Sequence, residues 1–217
     1  MTAQATIYIC DDDQEILNGL TYMLQESGYM VRSFLSGKDL LVAIDAGPKP
    51  LRAVFVLDLD NPSMDGDMIH DQLIARGYTK RSPVIFLSGK ATIEKAVNEV
   101  KKGALNFVEK PHSADVLLPL LKVAMKKEEE QNAGAKRCEF LKFMWESLTV
   151  QQRKVAVLVA SGELNKKIAV TLSIVERTVE VHRSKVFEKL GVDSPAALAT
   201  TIANMKGCGI VIGSDDF

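Results

Sequence analysis

Four apolar, strand-like runs in this chain each stop at a polar residue, and the four stops differ in chemistry. The run Thr-Ile-Tyr-Ile-Cys is followed by Asp11-Asp12-Asp13, and Arg-Ala-Val-Phe-Val-Leu ends in Asp58. Val-Ile-Phe-Leu ends in Ser88, and Asn-Phe-Val-Glu ends in Lys110 and Pro111. Between the runs lie stretches with helical spacing, such as Ile16, Leu17, Leu20, Met23 and Leu24, stopped by Gly28. Strands alternating with helices predict a doubly wound α/β domain with a five-stranded parallel sheet. In such a sheet the carboxyl ends of the strands share one edge, where ligands bind. Carboxylates, a hydroxyl and an ammonium that are far apart in sequence therefore converge on one site.

The pattern places the remaining elements. Strands are expected at 29–34, 53–57, 84–87 and 106–109, and helices from Asp13, from Lys38, after a loop over 60–66, and from Thr92, the last with Thr92 as N-cap. A final helix starts near Asp115 and runs into Lys126-Lys127-Glu128-Glu129-Glu130, which reads as a solvated helix end. Pro119 falls inside it, where a proline removes a hydrogen bond and costs about 3 kcal/mol, so a kink or a later start is expected. The apolar pattern stops at Gln131–Ala135, the best linker candidate. Beyond it strand signals vanish. Thr149, Asn165, Arg177 and Ser194-Pro195 open four helices, and a short helix, a turn at Ser173-Ile174-Val175 and a longer helix make a helix-turn-helix pattern. The expected domains are 1–125, a helical linker 126–143, and a small all-α unit 144–212.

At 217 residues the chain is long enough for two domains. Its net charge of −1 excludes a strongly basic protein, yet residues 144–212 hold nine Lys and Arg against six Asp and Glu, a mild surplus that fits DNA contact. No stretch reaches transmembrane length and no basic leader precedes the first strand, so no membrane partner and a cytoplasmic location are expected. The three cysteines, Cys10, Cys138 and Cys208, are odd in number and widely spaced, with no metal spacing or disulfide framework. Cys10 reads as a core residue and Cys208, between glycines, as exposed, with a regulatory thiol there the alternative.

The polar stops form a specific chemical set. Mg²⁺ takes oxygen ligands in octahedral geometry and keeps several waters. Asp12 and Asp58 could bind it directly, Asp11 through water, and the backbone carbonyl of Asp60 as a third protein ligand. Ser88 and Lys110 could hold the oxygens of a phosphoryl group carried by Asp58. These pieces, with Asp58 inside Leu-Asp-Leu-Asp-Asn-Pro-Ser-Met-Asp-Gly and Lys110 inside Phe-Val-Glu-Lys-Pro, resemble a CheY-like receiver. Leu148–Arg153, Asn165–Ala169 and Glu176–Arg183 resemble a LuxR-type helix-turn-helix. The whole chain thus resembles a two-component response regulator of the NarL/FixJ family.

The resemblance implies that Asp58 accepts a phosphoryl group from a sensor histidine kinase, that Ser88 and Phe107 form the switch, and that the peptide before Pro111 is cis. Phosphorylation is expected to produce a homodimer that binds double-stranded promoter DNA, with RNA polymerase a candidate partner. Ser88 stands where relatives often carry Thr, His112 where they often carry an aromatic, and Gln152 where Glu is common, which predicts a weaker capping contact. On the longer reader helix Val179, Val186, Phe187 and Leu190 form the core stripe. Glu180 can accept from cytosine N4 and Val181 can touch a thymine methyl, with Ser184 on the same face. Arg177, Thr178, Arg183 and Lys185, with Lys166 and Lys167, are placed to meet phosphates. Asp60 and Lys90, two residues past Asp58 and Ser88, are expected to pair across the pocket mouth.

Asp58-Leu59-Asp60 also resembles the Asp-x-Asp motif of haloacid-dehalogenase-type phosphatases. The acidic triplet and the C-terminal unit have no place in such an enzyme. A module that never uses phosphate is a third possibility, opposed by the complete pocket set.

Overall fold

The computed structural model describes residues 4–49, 51–61, 64–89, 93–110 and 114–212. Two compact units divide between Ala133 and Gly134.

The first unit begins with β1 (Thr6–Cys10), α1 (Gln14–Glu26), β2 (Met30–Phe34), α2 (Gly37–Asp45) and β3 (Ala53–Asp58). It continues with α3 (Gly66–Ala75), β4 (Val84–Ser88), α4 (Ile93–Lys101) and β5 (Asn106–Glu109). The five strands are all parallel, in the order β2-β1-β3-β4-β5. The order reverses between β1 and β3, the crevice where doubly wound sheets bind ligands.

Strand residues alternate between two cores, as a period of two requires. Ile7, Ile9, Val54, Val56, Ile85 and Leu87 pack with Leu17, Leu20 and Leu24 of α1. Tyr8, Cys10, Phe55, Leu57 and Phe86 pack with Leu40 and Ile44 of α2 and with Ile69 and Leu73 of α3. Every residue of β3 is buried, so Asp58 is held at the end of a fully enclosed strand. Asp13 caps α1 as expected, its side chain accepting from the amides of Glu15 and Ile16.

Helix α5 (Ala114–Glu146) runs unbroken through Pro119 and the whole segment 126–143. The expected later start is not seen. Pro119 is exposed, so the carbonyl it leaves unpaired lies on the solvent side of the helix. The run Lys126–Glu130 is not wholly solvated: Glu128 is fully buried and paired with Arg52, Nη2 to Oε2 at 2.6 Å and Nε to Oε1 at 3.0 Å. Asn132 donates to Glu128 Oε1 at 2.8 Å and to the carbonyl of Arg81 at 3.3 Å. Burying Glu128 without partners would be costly, and this fork of hydrogen bonds makes it tolerable.

The second unit holds the last turns of α5, then α6 (Val150–Ala160), α7 (Asn165–Leu172), α8 (Glu176–Leu190) and α9 (Pro195–Gly207). Its core joins Leu141 and Trp145 of α5 to Val155, Val159, Ile168, Val179, Val186, Leu198 and Ile202. Thr149 and Gln152 form a reciprocal capping box on α6, so the capping contact is kept at Gln152. An amide can make both contacts of the box, and Gln152 also accepts from Lys189 Nζ at 3.0 Å. Cys138 and Cys208 are joined in a disulfide, contrary to the expectation from spacing. Their meeting depends on where the ends of α5 and α9 lie in the fold, which neither count nor spacing carries.

Candidate functional site

The end of β3 and the end of β1 are neighbours because the strands pair in register, Cys10 opposite Leu57. That pairing brings Asp11 and Asp12 beside Asp58, and one oxygen from each carboxylate lies within 4.8 Å of the others. Asp11 and Asp58 are buried, while Asp12 is exposed. Lys110 leaves the end of β5, where its amide donates to the Ser88 carbonyl at 2.7 Å. Its Nζ lies 2.6 Å from Asp11 Oδ2 and 3.0 Å from Asp58 Oδ1, bridging the two buried carboxylates.

Burial raises the Asp58 pKa above the ordinary carboxylate value, an effect that hydrogen bonding to Lys110 only partly offsets. For Lys110, burial favours the neutral amine, but hydrogen bonds to Asp11 and Asp58 outweigh it and leave its pKa raised. Both directions follow from concentrating charge of opposite sign in a partly dry pocket. Asp60 donates its amide to Asp58 Oδ1 at 3.3 Å. Gly66 opens the helix beyond, and a Cβ there would clash with the Asp58 carbonyl oxygen, so only glycine fits without displacing β3.

Ser88 ends the buried strand β4 and Phe107 lies half-buried on β5, opposite Phe86. The Ser88 hydroxyl donates to Asp60 Oδ2 at 2.5 Å, a contact the sequence reading did not foresee. Its signal was available in the fold rather than in the motif: β3 and β4 pair with Asp58 opposite Leu87, so residues just past both ends face each other. Lys90, Thr92, Pro111 and His112 lie outside the described residues, and with them the expected pair with Asp60, the helix cap and the cis peptide. The donor set fits a hard divalent cation: three carboxylates converge, two of them buried, with Lys110 offsetting part of their charge.

In the second unit, α7 and α8 are joined by the expected tight turn. Ser173 takes a left-handed conformation (φ 53°), the only non-glycine residue at positive φ among the described residues. That conformation costs about 1–2 kcal/mol, and it lets the Ile174 amide return to the Ala169 carbonyl at 3.0 Å. On α8, Val179, Val186 and Leu190 are buried and Phe187 is partly so. Arg177, Glu180, Val181, Ser184 and Lys185 are exposed, as are Lys166 and Lys167 on α7, while Thr178 and Arg183 are half-buried. Several of these groups already have partners. Arg177 pairs with Glu180 at 2.7 Å, and Lys167 with Glu163 at 2.7 Å. Arg183 donates to Asn165 Oδ1 at 2.7 Å, tying α8 to α7, and lies over the Phe187 ring of its own helix.

Residues 7–122 match the response regulator receiver domain, and residues 146–202 match the bacterial regulatory proteins of the luxR family. The chain belongs to the response regulators. The regulator is 35% identical to the tetrathionate response regulatory protein TtrR of Salmonella typhimurium over 93% of each chain. It is 34% identical to the C4-dicarboxylate transport transcriptional regulatory protein DctR of Rhodobacter capsulatus over 89% of this chain and 97% of that one. Among solved structures it resembles the response regulator StyR with a TM-score of 0.85 and 29% identity, over 93% of this chain and 99% of that one. Full-length FixJ from B. japonicum aligns with a TM-score of 0.57 and 26% identity, over 97% and 100% of the chains. Both domain matches and the relatives identify a transcriptional response regulator of the NarL/FixJ type, and not an enzyme. The receiver domain implies a kinase partner and the luxR-family domain implies DNA binding. No described helix is long and apolar enough to cross a membrane.

Proposed function

We propose that the regulator accepts a phosphoryl group on Asp58 from a sensor histidine kinase, dimerises, and binds promoter DNA through α7 and α8. The observation that carries this reading is Lys110 Nζ bridging Asp11 and Asp58 at 2.6 and 3.0 Å, with Asp12 beside them. Mg²⁺ held by Asp11, Asp12, Asp58 and the Asp60 carbonyl would supply charge that offsets repulsion between the carboxylates and an incoming phosphoryl group. An Asp58 oxygen attacks the phosphorus while the kinase imidazole leaves as its nitrogen–phosphorus bond breaks. Lys110 is placed to pair with the transferred oxygens, and Ser88 reaches them only after leaving Asp60. Phe107 then has room to turn inward as the Ser88 end of β4 shifts, a change of population between two states.

The receiver function is assigned to 1–125, the connecting helix to 126–143 and the reader to 144–212. The face of α4 and β5 is the proposed dimer surface, supported by exposed Val97 and Val100. Glu180, Val181 and Ser184 read bases; Lys166, Lys167, Arg177, Thr178, Arg183 and Lys185 approach phosphates, with RNA polymerase the downstream partner in the cytoplasm. Intact mass after incubation with acetyl phosphate and Mg²⁺ tests the central step. The wild type should gain one phosphoryl group and Asp58→Asn none; equal labelling of the Asn variant would move the acceptor elsewhere.

A further inference from the structure

The chain has three cysteines, and their surroundings divide them into two kinds. Cys10 is buried in β1, and burial, then Asp11 and Asp58, push its thiol up to about 12. A thiol so held is inert, because the thiolate is the reactive form. Cys138 on α5 and Cys208 at the end of α9 are half-buried and bonded to each other, with Cα atoms 5.4 Å apart across 70 residues of chain. Lys136 and Arg137 precede Cys138, and Lys206 lies two residues before Cys208. Both cysteines belong to the second unit, so their pairing lies within it and joins the connecting helix to the end of the reader.

We infer that Cys138 and Cys208 form a modification site for oxidants of the peroxide class, a dithiol whose closure clasps the last turns of α5 to the end of α9. The step balances without other reagents. One thiolate attacks a peroxide oxygen, the oxygen–oxygen bond breaks, and the departing hydroxide takes up the thiol proton as water. The resulting sulfenic sulfur is attacked by the second thiolate, its sulfur–oxygen bond breaks, and hydroxide leaves to take the second proton. Two thiols are oxidised to the disulfide and one peroxide is reduced to two waters. The closed bond encircles α6 to α9, so it removes freedom from the unfolded reader and holds Leu141 and Trp145 against its core. The reader thereby has an oxidant input that does not pass through the acidic pocket.

Full-length protein reduced with dithiothreitol, then treated or not with hydrogen peroxide, is denatured and alkylated. The expected count is three alkylated cysteines before peroxide and one after, the one being Cys10. Trp145 is the single tryptophan and is buried in the reader core, so its fluorescence follows unfolding of that unit within the whole chain. The oxidised midpoint should lie at least about 5 °C above the reduced one, given the length of the enclosed loop. Cys138→Ser and Cys208→Ser should each unfold at the reduced midpoint and show no rise with peroxide. Three alkylated cysteines after peroxide, a disulfide-linked dimer on a non-reducing gel, or closure without a change in midpoint would each overturn the inference.

Discussion

In the receiver pocket Lys110, Asp11 and Asp58 are enclosed and committed to one another; on the reader helix α8 Arg177 and Glu180 are exposed and pair within a turn. Lys110 has 15% side-chain exposure and touches two carboxylates that are almost fully enclosed. Arg177 has 85% exposure and meets Glu180 three residues along its own helix. The first arrangement is expensive to disturb, because a buried charge without its partner is poorly solvated. The second is cheap, since an exposed pair contributes at most about 1 kcal/mol. A pocket must be prepared before its small ligand arrives, whereas a DNA-reading face can exchange weak internal pairs for phosphates and base edges.

The largest test of that contrast substitutes one lysine from each region. Lys110→Met should destabilise the receiver by about 3 kcal/mol in the absence of divalent cations, since Asp11 and Asp58 lose their shared counter-charge. Lys166→Met, on the exposed face of α7, should stay within about 0.5 kcal/mol of wild type. Urea unfolding followed by circular dichroism resolves the two. Comparable losses would mean that the pocket is no more committed than the surface.

A second experiment carries the contrast to DNA, where the ranking should reverse. Glu180→Ala and Val181→Ala should cost about 1–3 kcal/mol at a preferred site and alter base preference. Lys166→Ala should weaken all sequences alike and lower the salt slope by about one ion. Arg183→Ala differs from both, because its bond to Asn165 joins α8 to α7, and it should lower reader stability as well. Binding titrations at several salt concentrations, paired with tryptophan-detected unfolding, separate the three behaviours. The comparison breaks if Lys166→Ala reorders sequence preference while Glu180→Ala leaves it intact.

The same difference governs what could be read in the sequence. The pocket was legible because each contributing residue ends an apolar run, so its type and its place in the sheet are both local signals. The core stripe of α8 was legible from helical period. Contacts that depend on long-range packing were not. Glu128 sits in a run of charges that looks solvated, and its partner Arg52 is 76 residues away. His70 on α3 and Glu99 on α4 meet at 2.7 Å in the interior, with His70 edge-on to Phe86, and neither residue carries a motif. Nor could the chain alone show that the ends of α5 and α9 bring two cysteines together.

The smallest expected effect tests whether the pocket mouth belongs with the committed groups or with the adaptable ones. Asp60 is exposed like a reader residue, yet its carboxylate accepts from the Ser88 hydroxyl at 2.5 Å. A Ser88 hydroxyl engaged with Asp60 must give up that bond before it can donate to a phosphoryl group on Asp58. A hydrogen bond to a charged group contributes about 1.5–3 kcal/mol when enclosed, and exposure of Asp60 reduces it to about 1 kcal/mol. Releasing it in Asp60→Ala should therefore raise the steady-state phosphorylated fraction under limiting acetyl phosphate by roughly fivefold in equilibrium constant. Asp60→Asn keeps an acceptor without the charge and should fall between. In a double-mutant cycle with Ser88→Ala, the gain from Asp60→Ala should largely vanish, because the hydroxyl it frees is gone. If Asp60→Ala gives the same gain with or without the Ser88 hydroxyl, Asp60 acts on the phosphoryl group by charge alone and the bond seen at the mouth restrains nothing.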